Sequence, residues 1–400
     1  MKIALTANGP GEVAGWVRPL LRRLYALDPE LEAHLFLVPD DFATGREAEL
    51  ARSLFPRARV YEPREYVAFA LGRRVAQAPS RVDVVQYLGG DLMHAARLHK
   101  RLCGRAFSYK FSKPRYRSLF CGAFAVDAKN AYELAATGIP AERITVVGNL
   151  AIDGAFDEAA LAPEDGTPDD GILIMPGSRR YEVEHLIPFF FTTALQIRRE
   201  QPQTPIAFGI APFTSLQSVG SAIEAGGDRN VFAQRGRLIV EGERAWLADR
   251  QDSRRFPIVR ASLAAATRAR LAVTLPGTKV IELAALGVPT VTITPLNAPE
   301  KIAINGPLTY LDRLPLIGVP LKRAVVTAVS RRFAFHTQPN IDLDEMLVRE
   351  LHGTLTPGRV ARVALESYAD IAWQRSCRQR LPGLYRAHAG AAERMAKALF

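Results

Sequence analysis

Residues Ile172 to Phe190 read ILIMPGSRRYEVEHLIPFF, a short apolar run that meets a Pro-Gly turn and continues with the spacing of an amphipathic helix. Such a junction leaves unpaired backbone N–H groups at the helix start, and Gly177, Ser178 and Arg179 stand there. A hydroxyl and a planar guanidinium beside those groups suit a phosphate. A second junction, LAVTLPGTKVIELAALGVPTVTI, spans Leu271 to Ile293. There Gly277 and Thr278 form the turn, Thr278 is placed to cap a helix beginning near Lys279, and Glu282 follows one turn later on the same side. A hydroxyl and a carboxylate together suit a phosphate and a ribose diol. Either junction alone could equally be a plain βα turn whose Gly and Ser/Thr serve the backbone. Two in one half-chain point to a nucleotide.

The elements that must position these turns alternate along the chain. Lys2–Ala7 reads as a buried strand, and NGPGEVAGWVRPLLRRLYAL passes through Gly9, Gly11 and Gly15 into an amphipathic helix. Strand–helix pairs follow: Ala33–Val38 with Thr44–Phe55, the RVYE run from Arg59 with Tyr66–Ala76, and Val82–Leu88 with Asp91–Leu102. After strand Gly122–Asp127, helix Ala128–Thr137 and strand Ile144–Val147, the stretch Phe156–Gly171 is rich in Pro, Gly and acid and reads as a linker. The second half repeats the pattern: strand Ile172–Met175, a helix to Arg199, strand Pro205–Gly209, helix Ser215–Ala225, and strands near Ile258 and Leu271. Val231–Phe256 reads as a hairpin with an arginine-rich loop, and from Arg323 the chain reads as helical, interrupted at Pro339, Pro357 and Pro382. The fold class is α/β, with doubly wound parallel sheets. The expected domains are residues 1–160 and 171–355, with helices over 356–400 that cross back to the first domain. Ligands are expected at the carboxyl ends of both sheets, facing a central cleft.

A chain of 400 residues, 48% hydrophobic and 23% charged, is large enough for two cores. No apolar run reaches the length of about 20 residues that spans a bilayer, and Met1-Lys2 enters a strand directly, so a cytoplasmic placement is expected. Cys103, Cys121 and Cys377 are scattered, which argues against a disulfide framework or structural zinc, and no His/Asp/Glu cluster has metal-ligand spacing. A net charge of +11 predicts an anionic partner.

Five blocks stand in the order and spacing of lipid-A-disaccharide synthase: GPGEVAGW at Gly9–Trp16, GGD at Gly89–Asp91, GNLAID at Gly148–Asp153, MPGSRRYEVEHL at Met175–Leu186 and PGTKVIELAALGVP at Pro276–Pro289. PLTY at Pro307–Tyr310 extends the match, so the chain resembles that family over Lys2 to Tyr310. The resemblance implies a GT-B fold and an inverting, metal-independent hexosyltransferase without cofactor, moving a sugar from a UDP-sugar to a lipid or glycolipid acceptor. It implies that Arg179 contacts the donor diphosphate, Thr278 the phosphates and Glu282 the ribose, with Gly177, Ser178, Glu182 and Gly277 in the same nucleotide-sugar-binding blocks. Gly9, Gly11 and Gly15 would form the acceptor-side loop, with Glu12 and Asp91 facing the acceptor or the sugar. Transfer needs one base within reach of the acceptor hydroxyl, and Asp91 at a strand's carboxyl end is the first candidate, Glu12 the second. Their plainer roles are an N-cap for Leu92–Leu102 and a helix-start charge. The family's first loop reads G-E-x-S-G-D, whereas this chain carries Ala14 and Trp16 in place of the serine and aspartate, and Leu316–Lys322 lacks the family's Pro-Asn pair. The acceptor is therefore expected to differ.

The stretch Arg97–Phe124 has no acidic residue and interleaves Lys and Arg with Phe107, Tyr109, Phe111, Tyr116 and Phe120. Basic residues would hold anionic headgroups while aromatics enter the interface, giving peripheral attachment to the inner face of the cytoplasmic membrane. The plainer reading is a strand–loop–strand whose aromatics are core. No recognised nucleic-acid module surrounds the stretch, so nucleic acid is set aside as a partner. His94 and His185 near the candidate sites read as packing residues. Rival functions are a nucleotide-sugar epimerase on the same scaffold, a catalytically silent nucleotide-binding protein, and a Rossmann oxidoreductase drawing on Gly9, Gly11, Gly15, Asp40 and Asp41. The glycine spacing departs from G-x-G-x-x-G.

Overall fold

The computed structural model describes residues 1–39, 47–228, 232–251, 254–297, 319–320 and 333–400. Asp40, Asp41, PLTY at Pro307–Tyr310, most of Leu316–Lys322 and the start of the helical reading at Arg323 lie outside them. The chain divides into two compact units: Met1–Asp157 together with Tyr385–Phe400, and Glu158–Leu384.

The first unit carries seven parallel strands: β1 Lys2–Ala7, β2 Glu32–Leu37, β3 Arg59–Tyr61, β4 Val84–Tyr87, β5 Arg105–Tyr109, β6 Gly122–Ala125 and β7 Ile144–Val146. Their order is β3-β2-β1-β4-β5-β6-β7, so the chain changes direction between β1 and β4. Apolar runs such as Ile3–Leu5 and Val84–Val85 are fully buried because helices cover both faces. On one face Leu20 and Leu24 of the helix Arg18–Leu27 pack with Met395 and Leu399 of the last helix, Ala391–Leu399. The start of that last helix is held by Asp153, whose carboxylate accepts from Gly390 N and Ala392 N, each at 2.7 Å. Burial pushes the Asp153 pKa up, against the pull of these hydrogen bonds.

The second unit carries β8 Ile172–Met175, β9 Ile206–Gly209, β10 Gly236–Glu241, β11 Arg244–Asp249, β12 Arg255–Val259, β13 Leu271–Thr274, β14 Thr290–Pro295 and β15 Arg349–Gly353. Their order is β10-β11-β12-β9-β8-β13-β14-β15, and the switch lies between β8 and β13. The hairpin expected within Val231–Phe256 is the antiparallel pair β10–β11, which adds an antiparallel edge to the parallel sheet. β15 corrects the helical reading of the last third. RELHG has no apolar alternation, yet it pairs with β14, and Glu350 on it accepts from His336 N, Thr337 N and Asn340 Nδ2 at 2.6–3.0 Å. Nor do Pro339 and Pro357 break helices; they sit in the first turns of Gln338–Leu343 and Pro357–Ala369, where the missing N–H has no partner to lose. Pro382 lies inside the helix Ile371–Tyr385.

The acidic stretch before Ile172 is pinned along the second unit. Glu164 accepts from Arg260 N at 2.6 Å and Ala261 N at 2.7 Å, and Glu158 accepts from Leu263 N at 2.9 Å, so both serve the start of the helix Ser262–Arg268.

Each unit opens with a strand, a glycine-containing loop and one π-helical turn, Val13–Val17 in the first and Glu182–Leu186 in the second. Arg18 N reaches back five residues to Val13 O, and Ile187 N does the same to Glu182 O. Pro19 and Pro188 follow immediately. A proline ring clashes with the carbonyl four residues before it, and a widened turn relieves that clash while keeping the helix continuous. No helix among the described residues is long and apolar enough to cross a membrane.

Candidate functional site

In each unit the two loops singled out by the sequence follow the two strands that flank the switch point. The second unit's Gly177–Arg179 loop follows β8 and its Gly277–Thr278 turn follows β13. Thr274 Oγ1 donates to Met175 O at 2.9 Å and ties these strand ends together. Carboxyl ends of strands at a switch point are where α/β sheets bind ligands, since the helices leave in opposite directions there.

The Gly177–Arg179 loop closes on its own helix. Glu182 Oε2 accepts from Ser178 N at 2.7 Å and Arg179 N at 2.8 Å, while Oε1 lies 3.8 Å from Arg179 Nη1. Gly177 has φ +92°, and a Cβ built on it would stand 2.3 Å from Glu182 Oε2, so only glycine fits. Arg179 is exposed and Ser178 half-buried. Glu182, implied by the resemblance to belong to the nucleotide-sugar-binding set, therefore turns its carboxylate to the loop backbone.

At the second turn Gly277 is the N-cap, with φ +142°, and Thr278 is the first residue of the helix Thr278–Ala285. This corrects the expectation that Thr278 caps the helix; its exposed side chain stands one position further in. Glu282 is buried on the same helix and forms an ion pair with Lys279 one turn back.

In the first unit Glu12 and Asp91 follow the neighbouring strands β1 and β4; Glu12 lies in the helix start Pro10–Glu12, with Gly9 as N-cap, the plainer of its two expected places. Gly89 packs against Asn8 and Glu12, whose atoms would stand 2.5 Å and 3.3 Å from an added Cβ. Burial raises the pKa of the Tyr87 phenol, and the negative charges of Asp91 and Glu12 raise it further. Gly9, Gly11 and Gly15 lie on the Glu12 side: Gly9 accepts from Val13 N at 3.1 Å, and Gly11 and Gly15 have open space where a Cβ would stand.

Asp91 caps the helix Leu92–Leu102 through Oδ1, which accepts from Met93 N at 2.8 Å, and Oδ2 accepts from Lys113 Nζ at 2.7 Å. Arg115 Nη2 stands 3.7 Å from Oδ1. Burial raises the Asp91 pKa, but the Lys113 hydrogen bond, the Met93 N–H and the two cationic charges outweigh it and hold the carboxyl below its ordinary value. Lys113 and Arg115 come from the loop after β5, within the basic stretch Arg97–Phe124 that the sequence marks for a membrane surface and not as partners of Asp91. A contact across 22 residues carries no local signal.

The Arg97–Phe124 stretch divides between its two readings. Phe107, Tyr109 and Phe120 are core, whereas Phe111, Lys113, Arg115 and Arg117 are exposed. Lys110 lies over the rings of Trp16 and Phe111 at 6.0 and 5.5 Å. His94 is a packing residue, its ring nitrogen 2.7 Å from the buried Tyr66 hydroxyl, and His185 lies against the Tyr181 ring. Among the described residues no group of three or more His, Cys, Asp or Glu could hold a metal ion.

No protein-family model matches the chain, and no curated protein matches it. Among solved structures it is similar to a putative UDP-N-acetylglucosamine 2-epimerase from Listeria monocytogenes, at 13% identity and TM-score 0.55, over 99% of this chain and 95% of that one. It is similar to the UDP-GlcNAc 2-epimerase of Methanocaldococcus jannaschii in complex with UDP-GlcNAc and UDP, at 14% identity and TM-score 0.55, over 100% and 99%. It is also similar to Anabaena HepE in complex with UDP and glucose, at 10% identity and TM-score 0.52, over 100% and 99%. At these identities the likeness is one of fold, and the fold of this chain is the two-domain GT-B architecture.

Proposed function

We propose that the protein is a UDP-sugar-dependent enzyme whose second unit binds the nucleotide. The observation that carries this reading is the placement of both phosphate-suited turns, Gly177–Arg179 and Gly277–Thr278, after the two strands at the switch point of one sheet. The UDP and UDP-sugar bound by the Methanocaldococcus and Anabaena structures of the same fold support the ligand class. Arg179 and Thr278 would carry the diphosphate and Glu282 the ribose.

Two reactions fit. The solved structures favour epimerisation of the UDP-sugar, since the full-length likeness to 2-epimerases covers the whole chain. Epimerisation takes a proton from a sugar carbon and returns one to the opposite face, and a carboxylate at the edge where Glu12 and Asp91 lie suits the removal. The second reading, transfer to a lipid-linked acceptor as in the lipid-A-disaccharide synthase family, is favoured by the sequence blocks and by the exposed Phe111, Lys113, Arg115 and Arg117, which suit an anionic membrane surface. In either reaction we assign the proton acceptor to Glu12 in preference to Asp91, whose oxygens serve a helix cap and an ion pair that lower its basicity.

Incubating the protein with UDP-GlcNAc, with and without extracted membrane lipid, separates the readings. A sugar epimer formed without lipid establishes epimerisation. UDP release and a glycolipid that require lipid establish transfer. Absence of UDP binding by calorimetry would overturn both.

A further inference from the structure

We infer that Glu182 is a positioning residue: its carboxylate permanently occupies the loop N–H groups of Ser178 and Arg179, so that the donor's phosphates are held by the side chains of this loop and by the Gly277–Thr278 turn. The inference rests on the UDP-sugar reading and sharpens it. A strand–glycine loop–helix junction ordinarily offers its backbone N–H groups to an anion. Here both are already satisfied, at 2.7 and 2.8 Å, by one oxygen of a residue only four positions on.

The fit is built from three sides. Gly177 carries no Cβ and takes φ +92°, and any side chain there would collide with the carboxylate at 2.3 Å. Glu182 is the first residue of the π-helical turn, whose widened winding sets the direction in which its side chain leaves the helix. The carboxylate itself is largely shielded, with 17% of its side chain exposed, while the Arg179 side chain is 65% exposed. An incoming phosphate that replaced Glu182 would have to break two charge-assisted hydrogen bonds and leave a shielded carboxylate beside its own negative charge, two costs of the same sign. Keeping Glu182 in place avoids both and fixes where Ser178 Oγ and the Arg179 guanidinium point.

Three variants decide the matter. Glu182→Ala removes the clamp, and Glu182→Gln keeps an oxygen able to accept both N–H groups while removing the charge. Amide hydrogen exchange on the ligand-free full-length protein should show the Ser178 and Arg179 amides protected in wild type and in Glu182→Gln, and unprotected in Glu182→Ala. By calorimetry with UDP, Glu182→Ala should bind about tenfold or more weakly, and Glu182→Gln within about threefold of wild type. A tighter or unchanged UDP affinity in Glu182→Ala, with wild-type circular dichroism, would show that phosphate displaces the carboxylate and would overturn the inference. Wild type failing to bind UDP would instead refute the UDP-sugar reading, while the amide-exchange pattern would still test the clamp. Gly177→Ala, which introduces the clashing Cβ, should reproduce the Glu182→Ala exchange pattern.

Discussion

Lys113 Nζ stands 2.7 Å from Asp91 Oδ2, joining the loop after β5 to the turn after β4 at the carboxyl edge of the first sheet. The pair keeps Asp91 ionised and anchors a loop that is otherwise exposed and basic. Replacing Lys113 by Met removes the strongest downward influence on the Asp91 carboxyl, so its pKa should move up toward or above the ordinary value. Carboxyl-carbon NMR titration of both proteins checks this. An unmoved Asp91 titration would show that the ion pair does not form in solution.

Arg179 offers an exposed guanidinium in the loop after β8, and a guanidinium matches phosphate geometry through parallel N–H donors. Arg179→Ala should weaken UDP binding by about 1.5–3 kcal/mol, the usual size for a hydrogen bond to a charged group. Arg179→Lys should recover part of that loss, since it restores the charge but not the fork. Calorimetry on the folded variants reads both, and unchanged affinity in the alanine variant removes Arg179 from the site.

Much of this architecture was legible because strands and helices alternate with short apolar runs, a local pattern that long-range packing then reinforces. The two strand–turn–helix junctions at Gly177 and Gly277 could be read for the same reason: Pro-Gly between an apolar run and a helical one is a local signal. What escaped was whatever depends on tertiary partners. β15 has the polar sequence RELHG and becomes a strand only because β14 offers it an open edge and Glu350 gathers the chain before Gln338. The sequence marks Asp91 as a cap and as a base alike, and only its approach to Lys113 bears on the choice. Glu182 carries no local sign of its hydrogen bonds to Ser178 N and Arg179 N, which depend on the positive φ of Gly177.

His34 is buried in the first sheet, its Nδ1 2.9 Å from the Tyr61 hydroxyl, and burial followed by the charges of Arg59 and Lys2 lowers its pKa from 6.5 to about 4. The neutral ring is the folded form, so between these two values the unfolded chain binds a proton that the folded chain refuses. Stability therefore rises with pH across that window and falls as pH drops from 6.5 toward 4, by on the order of 3 kcal/mol in all. Urea denaturation at pH 7 and pH 4.5 should show His34→Gln losing less stability than wild type between the two. Equal losses in the two proteins would mean that His34 is protonated in the fold.

Glu12 carries the mechanistic assignment. A sugar hydroxyl or a sugar C–H gives up its proton slowly at neutral pH, and a positioned carboxylate contributes on the order of 10²–10⁴ in rate. Glu12 lies in the helix start Pro10–Glu12 after β1, beside Gly89 and half-buried, and its charge, like that of Asp91, raises the pKa of the Tyr87 phenol. Glu12→Gln preserves size and hydrogen-bonding capacity but cannot accept the proton. It should keep UDP affinity, which we assign to the second unit, and lose turnover by that factor with little change in KM for the UDP-sugar. Asp91→Asn should retain the helix cap, because asparagine caps about as well as aspartate, and release Lys113. Its expected cost is less than about tenfold in kcat, below what loss of a general base produces. Steady-state kinetics of the two variants with the same UDP-sugar decides between the carboxylates: a deep loss in Asp91→Asn with near-normal turnover in Glu12→Gln would return the base to Asp91, and its hydrogen bond to Lys113 would then tune its basicity.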